Sequence, residues 1–220
     1  MKPIRRTLFW LGAYAAAMAW VEAAVVVYLR RLYYPENPLA IFPMRIWPMR
    51  DLLVELAREA ATIVMILAVG LLAVQGRVRR TAAFLFVFGV WDLCYYLWLK
   101  MALGWPAAWT EWDILFLIPW PWLAPWLAPA AAALLFVLWA APVLGRQEET
   151  AVPRRAWATA SAGLCLMLAS FLVPVLPLLG NPAALAAYVP GRFPWWLYLP
   201  GAVLLAAGLF AGRAGAGAHG

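Results

Sequence analysis

Residues 91–126 read WDLCYYLWLKMALGWPAAWTEWDILFLIPWPWLAPW, and the rest of the chain is organised around them. Three acids, Asp92, Glu111 and Asp113, and one lysine, Lys100, stand here among tryptophans and long apolar side chains. Apolar runs of spanning length lie on both sides. Acids in such surroundings are costly in a bilayer, so they are either paired for structure or used for function.

Composition extends that reading to the whole chain. Its 220 residues are 67% hydrophobic and 12% charged, with a mean hydropathy of +0.82. A soluble domain is about 45–50% apolar and about 25% charged. One soluble core cannot hide that excess, so the sequence predicts an all-α, polytopic integral membrane protein. The net charge of +7 does not indicate a nucleic-acid partner, because the arginines sit in short clusters between apolar runs, as topology determinants do. The fifteen tryptophans fit the interfacial belts of a bilayer.

Cys94 and Cys165 both fall inside apolar runs, which argues against a disulfide framework. The single histidine, His219, lies in a Gly/Ala-rich tail. Histidine-ligated haem and histidine-bound zinc or copper therefore lose their usual ligands, and neither a cofactor nor a metal is expected. A carboxylate site for a hard cation is the remaining metal chemistry.

Taken in order, the chain predicts six spans, about 8–29, 52–74, 82–101, 122–144, 156–176 and 195–212. Together they make one transmembrane domain over 1–212, followed by a flexible tail, 213–220. Basic residues before the first span (Lys2, Arg5, Arg6) and in GRVRR (76–80) and RQEETAVPRR (146–155) place both termini in the cytoplasm. The connection 30–51 carries prolines at 35, 38, 43 and 48, which forbid a continuous helix. The piece AAWTEWDILFLI, about 107–118, is too short to span and is stopped by Pro119 and Pro121. It reads as an interfacial or re-entrant half-helix. Ala158, Ser161 and Gly163 in the fifth span allow close helix packing.

Helical rise places three acids at one depth. At about 1.5 Å per residue, Glu22, Glu59 and Asp92 each lie about 11–13 Å inside the outer ends of the first three spans. Arg58 and Tyr95 fall near that level, and these five residues are the candidate ion- or proton-binding set. Glu55, Tyr96, Lys100, Glu111 and Asp113 lie nearer the outer surface and are vestibule candidates. Glu55, Arg58 and Glu59 follow i, i+3, i+4 spacing on one helix face and can pair locally. The three acids of the layer outnumber Arg58, so a proton or cation must accompany them unless a partner supplies charge. A purely structural network that locks the helices together is the competing reading.

The segments WDLCYY, GWP and WDILFLIPWPW resemble those of a bacterial family of small polytopic membrane proteins to which no activity is attached. The resemblance covers about residues 85–126 and implies that this stretch is the centre of the protein, while the spans and basic clusters point to the bacterial inner membrane. Three functions follow from the residues. The first is a small proton- or cation-linked transporter or channel-like protein. The second is a non-catalytic subunit or assembly factor of a larger membrane complex, whose partner is another membrane protein or a second copy of this chain. The third is an intramembrane enzyme acting on a lipid or isoprenoid. No phosphate-binding glycine loop, Ser/His/Asp set or metal-binding CxxC is present, so catalysis is not the leading expectation.

Overall fold

A run with no proline after Pro3 carries the first helix, which is 31 residues long. In the computed structural model, which describes residues 3–146 and 151–214, α1 spans Pro3–Tyr33 and stops before Pro35. The proline-rich connection follows, and α2 (Met49–Ala73) begins directly after Pro48. Gly76 turns the chain into α3, Arg77–Leu103. Then come a hairpin of β1 (Trp112–Phe116) and β2 (Trp122–Pro125), α4 (Leu127–Leu144) and α5 (Arg154–Leu172). A 3-10 turn at Leu176–Leu178, the short α6 (Pro182–Ala186) and α7 (Trp195–Ala214) complete the described chain.

The architecture is all-α, with one small two-stranded sheet. Helices α1 to α5 are each long and apolar enough to cross a membrane. Helix α7 is a shorter apolar helix, over Trp195–Ala211. Helix α7 runs to Ala214, and residues 215–220 of the expected tail lie outside the described residues.

The half-helix expected at 107–118 is instead a turn followed by a strand. Asp113 pairs with Ala124 and Ile114 with Leu123 in antiparallel register, and an irregularity between Ile114 and Phe116 precedes the Phe116–Trp122 pair. Prolines at 119 and 121 cannot donate helical hydrogen bonds, so they fold the chain back instead of ending a helix. Residues 122–125, expected to open the fourth span, are therefore β2, and α4 starts at Leu127. The fifth span likewise ends at Leu172, not 176, where the chain turns toward the 3-10 segment.

Helix α3 is central, packed on α1 and α4, and α5 and α7 form a second tight pair. Glycines set both approaches. A Cβ on Gly89 of α3 would lie 2.6 Å from the Ala133 carbonyl oxygen of α4. One on Gly163 of α5 would lie 2.3 Å from the Leu205 backbone nitrogen of α7. Only a missing side chain lets backbones come that close. By contrast, α2 packs mainly against α3 and barely meets α1. The space it leaves is roofed by the 34–48 connection and the hairpin.

Candidate functional site

Helix α2 buries one stripe, Glu55, Glu59, Thr62, Ile66 and Gly70, spaced at three or four residues so that all fall on one face. That face closes one side of a cavity of about 700 Å³. Helices α1, α3 and α5 and the hairpin supply most of the other walls, which are largely apolar and aromatic. Against those walls stand five carboxyl groups, Glu22, Glu55, Glu59, Asp92 and Asp113, and three arginines, Arg30, Arg45 and Arg58.

Arg58 ties two helices together. Its guanidinium is paired with Glu22 of α1 and donates to Glu55, from Nε at 2.8 Å and Nη2 at 2.5 Å. The Thr62 hydroxyl donates to Glu22 Oε1, giving that acid a second partner from α2. Charge-assisted bonds of this kind are the strong ones, and they join α1 to α2 where apolar packing between them is thin.

Glu59 points elsewhere. Both of its oxygens accept the Leu117 backbone N–H, at 3.0 and 2.9 Å, so α2 is stitched to the hairpin just beyond β1. Asp113, on β1, pairs with Arg30 of α1 at 3.3 Å. The Arg30 guanidinium also lies over the Trp105 ring, 4.1 Å from its centroid, a favourable cation–π arrangement. Burial pushes the Asp113 carboxyl up to about 6, and the Arg30 guanidinium opposes that rise. Tyr96 is a further partner of this carboxyl group.

Asp92 and Tyr95, on the α3 face, complete the expected layer. Both line the cavity, and Asp92 is 9% exposed with no hydrogen-bond partner for Oδ2. The three acids of the layer therefore stand around one cavity but do not converge on a point. Among the described residues, no group of three or more His, Cys, Asp or Glu side chains could hold a metal ion.

Of the vestibule candidates, Glu55, Tyr96 and Asp113 line the cavity, and Lys100 and Glu111 do not. Lys100 Nζ donates to the carbonyls of Gly104 and Pro106, at 3.0 and 2.7 Å, and so ties off the end of α3. Glu111 accepts the Ala107 N–H at 2.8 Å and steadies the turn before β1.

Arg30, Thr62 and the Leu117 N–H were missed by sequence reasoning. Arg30 reads as part of the connection because α1 runs a turn further than its hydropathy suggests. Thr62 was legible, since it sits three residues beyond Glu59 on the same face. Nothing in the sequence marks Leu117, whose backbone is freed for Glu59 by the hairpin. No protein-family model, curated protein or solved structure matches this chain.

Proposed function

We propose that this chain is an integral membrane protein of the bacterial inner membrane, with six spans and both termini cytoplasmic, that acts as a small proton-linked carrier of a lipid-soluble molecule. Large apolar side chains exposed along α2, including Leu53, Val54, Val64 and Leu72, support the membrane reading, because lipid is the solvent they suit. In this reading α7, a shorter apolar helix over Trp195–Ala211, is the sixth span. Arg77, Arg79 and Arg80 at the start of α3 and Arg154 and Arg155 at the start of α5 stand at helix ends away from the hairpin, which supports reading the cavity as part of the outer half.

The cavity carries the functional reading. About 700 Å³ lies within the range of small-molecule sites, which are mostly apolar with a few placed polar groups. Its five carboxyl groups exceed the three arginines, and buried surplus charge must be balanced by something bound. The acids are divided among Arg58, Thr62, Leu117 and Arg30 instead of gathered as a cage. That arrangement favours protons over a bare metal cation as the balancing charge.

The test is chemical extraction of the detergent-purified protein, followed by mass spectrometry of the extract. The parent should release a lipid-soluble molecule at close to one per chain. Leu164→Trp and Leu168→Trp, which fill the α5 wall, should lose it while melting normally. Equal recovery from well-folded variants, or nothing from the parent, would remove the reading.

A further inference from the structure

Most residues that line the cavity are buried or half-buried, and the few that are also exposed mark its mouth. Besides Pro119 and Pro182, these are Arg45 and Ile46 from the connection, Met49 at the head of α2, and Ile118 and Trp120 at the hairpin tip. Ile46 and Met49 are 67% and 68% exposed. A mouth rimmed by large apolar side chains suits lipid better than water. The Leu117–Glu59 bond is the tie between α2 and the hairpin on this side, where the two otherwise have little contact.

Charge is sorted by position. Inside, Arg30 is paired with Asp113, and Arg58 with Glu22 and Glu55, so neither is left for an anion. Glu59 and Asp92 have no ion-pair partner among the described residues and disfavour an anion further. At the mouth the order reverses: Arg45 is exposed and forms no ion pair among the described residues. Its backbone N–H donates to the Tyr34 hydroxyl at 3.0 Å, and its guanidinium carbon lies 6.0 Å from the Tyr34 ring centroid, which fixes it at the rim. Exposed basic residues at a membrane surface attract anionic lipid heads. The α4 and α5 walls carry no charge, with Phe136, Leu164, Leu168 and Phe171 prominent, so a hydrocarbon chain has an apolar side to lie on. Acids within and a free cation outside fit a lipid that enters tail first and keeps its head at the mouth.

We infer that the cavity takes one hydrocarbon chain of an anionic phospholipid from the leaflet on the hairpin side, entering sideways between the head of α2 and the hairpin tip, with the lipid's phosphate against Arg45. The inference rests on the lipid-soluble ligand proposed above and names its class and its route. The Glu22–Arg58–Glu55 cluster is a wall of the site, already satisfied within itself. Binding alone is assigned, with no reaction on the lipid.

The experiment places the full-length protein in phosphatidylcholine vesicles with one of two photoreactive lipids. These are a phosphatidylglycerol and a diacylglycerol, each with a diazirine at the end of the same chain. Irradiation, digestion and mass spectrometry locate the label. Phe136 and Leu168 line the cavity, and Phe136 is only 5% exposed, so label there comes from within. Leu72, exposed on α2, reports the surrounding lipid. Relative to Leu72, phosphatidylglycerol should label Phe136 and Leu168 roughly fivefold more than diacylglycerol does, the scale of one basic residue beside an anionic head. Arg45→Glu should abolish that preference. Equal labelling by the two probes, or a preference that survives Arg45→Glu, would overturn the phosphate assignment while leaving a lipid-soluble ligand in place. No label at Phe136 or Leu168 while Leu72 is labelled would overturn entry from the bilayer, and the extraction described above separates that failure from loss of the ligand itself.

Discussion

Glu59 of α2 holds the backbone N–H of Leu117, 58 residues further along the chain, with both carboxylate oxygens. The bond joins α2 to the hairpin beside the cavity, where the two have little other contact. An acid that reads as an ion-site candidate is thus also the latch between a helix and the roof above it.

The latch needs an acceptor at position 59, not a charge. Glu59→Gln should keep the Leu117 bond and lose little stability. Glu59→Leu leaves a buried N–H unpaired and should cost about 1–3 kcal/mol. Thermal unfolding of the two variants in the same detergent separates them. Equal losses would show that the Leu117 bond does not hold the hairpin.

Arg58 neutralises two acids at once, and its removal should be severe. Arg58→Leu strands Glu22 and Glu55 in apolar surroundings, and breaking a buried pair costs about 3–5 kcal/mol. Adding Glu22→Gln and Glu55→Gln to Arg58→Leu should recover most of that loss, since no charge is then left uncompensated. A triple variant as unstable as the single one would mean that Arg58 acts through packing instead of charge.

Much of this was readable from residues alone, and the gaps have physical causes. The five long apolar helices α1 to α5 were legible because apolar length is a strong signal. Glu55 and Arg58 were legible as partners because i, i+3 spacing on a helix brings them together whatever surrounds them, and they meet at 2.5 Å. The hairpin was not. WDILF is apolar enough for either a helix or a strand, and its state is set by pairing with residues 122–125, across two prolines that read equally well as a helix stop. Depth along a helix was computable, but direction around it was less so. Glu22, Glu59 and Asp92 share a level by rise, yet they face different partners because each helix is rotated by its own packing.

The α5–α7 pair should be intolerant of side chains at its contact. Gly163→Leu places atoms where the Leu205 nitrogen and the Gly201 carbonyl oxygen already sit, and should cost at least the 1–3 kcal/mol typical of overpacking. Ser161→Ala, on the exposed side of the same helix, should change stability by less than about 0.5 kcal/mol. Comparable effects from both would argue against the close backbone approach.

Orientation is open to direct labelling. With Cys94 and Cys165 replaced by Ala, a cysteine at Asn37 should react with a membrane-impermeant thiol reagent on intact cells. One at Gln75 should react only after lysis. Both positions are exposed, so access is decided by the membrane alone. The reverse pattern would invert the topology and place the cavity on the cytoplasmic side.

Proton linkage at the carboxylate layer is most directly tested by the melting temperature of the detergent-purified protein. The scan covers about pH 5 to 8 and is repeated across sodium, potassium, magnesium and calcium. The melting temperature should vary with pH and be indifferent to the cation, and Glu59→Gln and Asp92→Asn should each flatten the profile. A profile flat with pH in the parent, or a rise specific to one cation that both variants keep, would contradict a proton-linked site among these acids.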